Sequence, residues 1–190
     1  MPISIFDKIR QQESPDKSYK WYQDIIRSLG LASLQQNKVM RSDIGEYVTT
    51  INVGTMLLFV YEPKTKDSLE YYDTFPLVVP FRKVPGGFYG LNFHYLPPML
   101  RMRLLEKMLA YVSDTTLSEK SRFRLQWNLL NNAAKFPGVH ACVKHYLYSQ
   151  INSRIMQIHP KDWKKAIMLP VDNFEKASRN KIYKDSRGKI

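Results

Sequence analysis

The sequence predicts an α+β fold: a small bent antiparallel sheet or partial barrel, surrounded by four or five helices and followed by a basic C-terminal arm. Three observations lead there. Residues 54–98 hold short apolar runs with a period of two, separated by Gly and Pro turns. The flanking segments space their apolar residues as helices do. The apolar fraction, 44% of 190 residues, is enough to build a core.

Residues 3–12 suit a short helix. After the Ser14-Pro15-Asp16 break a second helix aligns Tyr22, Ile25, Ile26 and Leu29, with Gly30 placed as a C-terminal cap. Residues 31–45 are polar and mixed and read as a connector. Gly54 to Tyr61 is nearly unbroken in its apolar character, which predicts a strand buried on both faces. Glu62 to Asp67 forms a turn. Phe75, Leu77, Val79 and Phe81 alternate with Pro76, Val78, Pro80 and Arg82, a second strand. Its prolines donate no ladder bond, which predicts an edge position. Pro85-Gly86-Gly87 turns the chain, and Tyr89, Leu91, Phe93 and Tyr95 share one face of a third strand.

Pro97-Pro98 ends that strand and opens a helix, because proline is tolerated in a first helical turn. Residues 98–113 carry Leu and Met on more than one face, which predicts a central helix. Ser118-Glu119 starts another, with Phe123, Trp127, Leu130 and Ala134 as its buried stripe. Pro137-Gly138 breaks the chain, and a helix over 139–151 follows. The segment SRIMQIHPKDWKKAIMLP mixes a strand with a helical turn. From Glu175 the pattern disappears. The expectation is one domain over 1–175, with its β block at 54–96 and helical part at 97–151, and a flexible basic tail over 176–190. There is no internal repeat and no low-complexity tract.

Lys and Arg number 29 against 17 Asp and Glu, a net charge of +12. Such a surface attracts polyanions, nucleic acid first among them. One cysteine, Cys142, rules out an internal disulfide framework and fits a reducing compartment. The opening MPISIFDKIRQQ lacks a long apolar stretch, so no signal peptide is expected. The longest apolar run, Met56 to Tyr61, is too short to span a bilayer. The expected place is inside a cell, or in a particle assembled there.

Candidate phosphate contacts come from the tail (Lys176, Arg179, Lys181, Lys184, Arg187 and Lys189). The extended spacing of these cations suits an arm that tracks a phosphate backbone. Arg101, Arg103 and Lys107 on one helix, and Lys120, Arg122 and Arg124 on the next, are further candidates. Such charges are more often simply the wet face of an amphipathic helix. Among the aromatics of the β block, Tyr72, Tyr89 and Tyr95 are candidates for stacking on a terminal base pair. Strand aromatics also fill cores. His140 and Cys142 stand two apart and point to different helix faces, so with His145 they make no metal site. No cofactor is expected.

No Gly-rich phosphate loop and no nucleophile elbow occurs. A metal-dependent nuclease would need Glu62 and Lys64 at a strand end with Asp67, Glu70 or Asp73 to share the metal. Pro63 between them makes a turn the simpler explanation. The expectation is a binding protein, not an enzyme.

One long string does carry family information. Tyr61 to Lys66 reads Tyr-x-Pro-Lys-x-Lys, followed by Tyr71-Tyr72-Asp73, Phe75-Pro76-Leu77-Val78, Gly90-Leu91-Asn92 and His94-Tyr95-Leu96-Pro97. With the SRIMQIHPKDWKKAIMLPV segment and the terminal KDSRGK, it resembles the DNA end protectors of T4-type tailed phages, from about Gly54 to the C-terminus. The resemblance implies a late head-completion protein of the virion. Such a protein would bind the double-stranded ends of the packaged genome and shield them from host exonuclease after injection, in the host cytoplasm. It carries over no individual site residue; Asn92 and His94 lie in its best motif, where a turn and a hydrogen-bonded histidine explain both. Two other readings stay open. One is a neck or connector protein whose basic face meets acidic portal or adaptor proteins. The other is the nuclease. Oligomeric state and head-side partner are not encoded in any motif, and no membrane partner is expected.

Overall fold

The computed structural model describes residues 18–28, 36–112, 128 and 137–188. Helices α1 (Tyr19–Ser28) and α2 (Gln36–Met40) come first. Strands β1 (Gly45–Val48), β2 (Met56–Leu58), β3 (Tyr72–Asp73), β4 (Leu77–Val84) and β5 (Gly87–Asn92) follow, then α3 (Pro98–Val112). The chain ends with β6 (Val143–Leu147), β7 (Ile155–Ile158), α4 (Trp163–Ala166), β8 (Phe174–Glu175) and α5 (Arg179–Gly188). Six strands form one antiparallel sheet in the order β1-β7-β2-β4-β5-β6, while β3 and β8 pair separately. The fold class is α+β. The sheet stays open, with β1 and β6 as its edges.

The period-two pattern sorts side chains between two faces. Met56 and Leu58 of β2, Leu77, Val79 and Phe81 of β4, Leu91 of β5, and Met156 and Ile158 of β7 join the larger core. Every described helix contributes to that same core, through Tyr22 and Ile25, Val39, Leu104 and Leu105, Trp163 and Ala166, and Ile182. Leu57, Val78, Phe88 and Tyr146 turn the other way and pack with Phe59 and Tyr61 in a smaller, aromatic cluster. There the Tyr146 ring stacks on Phe88 at 5.4 Å and meets Tyr61 edge-on at 4.9 Å. Burial on both faces of β2 matches its unbroken apolar run.

The β4–β5 hairpin turns at Gly86, whose φ of 76° is a region that L side chains rarely adopt. Further along β5, a Cβ on Gly90 would stand 2.3 Å from Val78 Cγ1. Glycine at that point lets the two strands close over the smaller cluster.

Several expectations need correction. β4 is not an edge strand; it lies between β2 and β5. Pro80 is tolerated because its carbonyl faces Gly54 N–H at 2.8 Å, where β2 has already given way to a turn. No ladder bond there requires the missing N–H, and the β4–β5 register shifts between Pro80 and Arg82. Residues 139–151 are not a helix. A 3-10 turn over Pro137–Cys142 leads into β6, which pairs with β5 from Val143 opposite Leu91 to Leu147 opposite Gly87. The connector over 31–45 holds α2 and the start of β1. The tail is basic but not an extended arm: α5 buries Ile182 and Ser186 against the core. The helices expected over 3–12 and from Ser118 lie outside the described residues, residue 128 excepted.

Candidate nucleic-acid interface

The cations singled out in the sequence divide by what they touch. Arg101 is buried, with 2% of its surface exposed. Its Nε donates to Leu96 O at 2.7 Å, Nη1 to Ile167 O at 3.1 Å, and Nη2 to His94 O at 3.1 Å and Tyr183 Oη at 2.7 Å. Asp172, also buried, stands 4.0 Å from Nη2. Arg101 is therefore no surface phosphate contact; it ties α3, the segment after β5, the segment after α4 and α5 together. Its place in the first turn of a Leu- and Met-rich helix turns it inward.

The tail cations are mostly engaged too. Lys176 adopts φ 69°, and its Nζ donates to the carbonyls of Lys66, Asp67 and Leu69 at 2.6, 3.2 and 3.1 Å. It holds the 62–69 loop against the C-terminal segment. Arg179 pairs with Asp172 through Nε and donates from Nη2 to Pro170 O and Asp172 O. Lys181 pairs with Glu70 and with Asp185. Lys184, Arg187 and Arg103 are exposed, and among the described residues their side chains make no ion pair. Lys107, Lys120, Arg122, Arg124 and Lys189 fall outside what the structure describes of side chains.

The aromatic candidates are not together. Tyr89 is half-buried and stacks on His145, ring centroids 4.7 Å apart. Tyr72 and Tyr95 instead line a groove of about 490 Å³ beside the edge strand β6. Tyr61, Tyr95 and Tyr146 are buried at its base, and Tyr71 and Tyr72 are half-buried along its side. Lys64, Thr65 and Leu69 of the 62–69 loop form one rim, and Val143–Leu147 the other. Lys144 Nζ sits 4.0 Å from the centre of the Tyr95 ring, and Lys181 Nζ 5.3 Å from that of Tyr71. Burial pushes the hydroxyls of Tyr61, Tyr71, Tyr95 and Tyr146 above their ordinary value, so they stay neutral. The groove thus offers neutral ring faces bordered by cations.

Asp73 also reaches the groove and is fully engaged. Oδ1 accepts from Phe75 N at 3.0 Å and Asn173 N at 3.3 Å; Oδ2 accepts from Asn92 Nδ2 at 2.9 Å and lies 2.8 Å from His94 Nδ1. Burial alone would raise this carboxyl, but the charge and hydrogen bond of His94, with the hydrogen bonds from Asn92 and the Phe75 main chain, outweigh it and hold Asp73 below the usual carboxylate range. Asn92 and His94 thus serve to position a buried carboxylate. The hydrogen-bonded histidine is as expected, but Gly90–Asn92 is the paired end of β5 and not a turn, and Phe93–Tyr95 is a 3-10 turn and not a continuation of the strand. Glu62 pairs with Lys66, and Asp73 has no free acceptor site. Among the described residues no cluster of three or more His, Cys, Asp or Glu could hold a metal ion. Cys142 is a small buried residue; burial pushes its thiol up to about 12.

Sequence reading missed Lys144 and His145 as groove residues because it placed them on a helix. Lys64 was in view as part of the Tyr61 to Lys66 motif. That motif, followed at once by Tyr71-Tyr72-Asp73, is the signal that marks one whole side of the groove.

The family model for the phage T4 terminal DNA protecting protein matches residues 4–187. The chain belongs to this family. No curated protein and no solved structure matches the chain. The terminal DNA protecting protein match extends the likeness seen from Gly54 onward back through the first fifty residues. It takes in the entire groove and both Lys184 and Arg187. Among the described residues, no helix of this terminal DNA protecting protein family member is long and apolar enough to cross a membrane.

Proposed function

We propose that the protein binds the ends of packaged linear double-stranded phage DNA and shields them from host exonuclease, as a late head-completion protein of the virion. The observation that carries this reading is the match to the terminal DNA protecting protein family across residues 4–187. The net charge of +12 supports it, since neutralising phosphates releases counterions and drives association. So do the exposed cations Lys184, Arg187 and Arg103, which face solvent while Arg101 is buried and the side chains of Lys176 and Arg179 are engaged by main-chain carbonyls and Asp172. Shielding needs occupancy of the terminus and no turnover. The protein acts in the virion and, once the genome is delivered, in the host cytoplasm.

The test is competition between linear and covalently closed circular duplex of one sequence, at several salt concentrations. Linear DNA should win by more than its length explains, and affinity should fall with salt. Mg²⁺ or Mn²⁺ should leave the duplex intact. Equal affinity for both forms would contradict end recognition, and nicking abolished by Glu62→Gln would overturn the non-enzymatic reading.

A further inference from the structure

We propose that the tyrosine groove beside β6 takes one unpaired nucleotide at the DNA terminus, a frayed or overhanging base together with its phosphate. The proposal rests on the DNA-end reading above and adds what part of the end is recognised.

Size comes first. A groove of about 490 Å³ holds a ligand of small-molecule dimensions and not a double helix. Its chemistry comes next. Tyr71 and Tyr72 line one side and are only partly buried, so part of each side chain is open to a flat partner. Base–aromatic stacking tolerates any sequence, because every base has a π face. A protein serving a DNA end of arbitrary sequence needs that tolerance. Within the groove the tyrosine hydroxyls shifted by burial are neutral, so the ring lining carries no negative charge.

The phosphate has partners at the rims. Lys64 is exposed on one side, and Lys144 and His145 stand on the other. The main chain adds donors. Leu147 N–H, itself taken by Tyr61 Oη at 3.2 Å, shows which N–H groups point away from β5. Strand alternation turns the N–H groups of His145 and Val143 to that same open edge. The one carboxylate lining the groove, Asp73, already accepts from Phe75, Asn92, Asn173 and His94, which blunts its repulsion of an anion. A stacked base flanked by cations and edge N–H groups is the arrangement by which proteins hold single-stranded nucleic acid.

An unpaired terminal nucleotide enters without the cost of breaking a pair. The full chain should therefore prefer a hairpin duplex whose single open end carries a one-nucleotide overhang or a terminal mismatch over the same hairpin with a paired blunt end. With 2-aminopurine as the terminal base, binding should quench its fluorescence. Tyr72→Leu should lose about tenfold in affinity for the overhanging end, together with the quenching. Tyr72→Phe keeps the ring and should retain both. Lys64→Gln should weaken the overhanging end and reduce its salt dependence. Thermal melts confirm that each variant is folded.

Three results would overturn the proposal. The first is equal affinity for paired and unpaired ends with no change in 2-aminopurine signal. The end-protection reading then survives if linear duplex still outcompetes circular, and falls with the proposal if it does not. The second is free deoxynucleoside monophosphate binding as tightly as the overhanging end, since the source would then be a free nucleotide. The third is β6 backbone amides becoming protected only in the presence of a second protein, which would make the edge strand a docking site for a protein strand.

Discussion

Replacing Arg101 with alanine separates a structural cation from a DNA-binding one. The side chain donates four hydrogen bonds inside the protein, to Leu96 O, Ile167 O, His94 O and Tyr183 Oη. Alanine leaves those acceptors without their donor and removes one of two cations beside the buried Asp172. Breaking a buried charged network from one side costs about 3–5 kcal/mol, because the remaining charge and dipoles stay desolvated. At roughly 2–4 °C per kcal/mol for a chain of this length, the melting temperature should fall by about 6–20 °C. Arg101→Lys keeps the charge but not the fork, so it should fall part of the way. The assays are thermal and urea unfolding by circular dichroism, with DNA affinity measured on the folded variant at several salt concentrations. Stability should drop while the salt slope stays that of the wild type. An unchanged melting temperature with a slope shallower by about 0.9, one phosphate contact, would refute the structural assignment.

Other expectations follow from the same structure. Asp73 has its pKa lowered in the fold, so its stabilising contribution is present above the ordinary value of 3.8 and is lost as pH falls through the folded value. Asp73→Asn should therefore cost about 1–3 kcal/mol near neutral pH. The gap to wild type in urea midpoint should shrink below about pH 4; a gap independent of pH would contradict the assignment. Gly90→Ala drives a Cβ to 2.3 Å from Val78 Cγ1 and should destabilise by about 1–3 kcal/mol. Gly86→Ala meets no atom within 4 Å, so its cost in the same melt should be the backbone term of about 1 kcal/mol. Lys184→Ala combined with Arg187→Ala should leave the melt unchanged and reduce the salt slope of DNA binding by about 1.8, two contacts' worth. An unchanged slope would clear both of that role.

What the sequence showed well was alternation. Phe75 to Phe81 read as one buried face, and Leu77, Val79 and Phe81 do enter the same core while Val78 enters the other. The Pro98 helix start was equally plain. What stayed hidden depended on partners distant in the chain. Val143–Leu147 has apolar residues at spacings that suit a helix as well as a strand, and only pairing with β5 decides between them. Pro80 looked like an edge marker, yet its missing N–H faces the turn at Gly54, which no local pattern announces. Charge misled in the same way. Arg101 and Lys176 look like free cations in sequence, and each is consumed by main-chain carbonyls that the fold delivers from far away. The groove was half-legible: the Tyr61 to Lys66 motif and Tyr71-Tyr72 form one side, and the misread strand forms the other.

The central claim is that the folded protein guards a duplex terminus by occupying it. The direct measurement is digestion of a blunt linear duplex by a processive double-strand exonuclease, with and without the purified protein, beside an internally nicked circle as a substrate without ends for an enzyme that starts at nicks. Lasting protection of the linear duplex, with the nicked circle left open to attack, is the result expected. Digestion at the unprotected rate with the protein at saturating concentration would contradict the account.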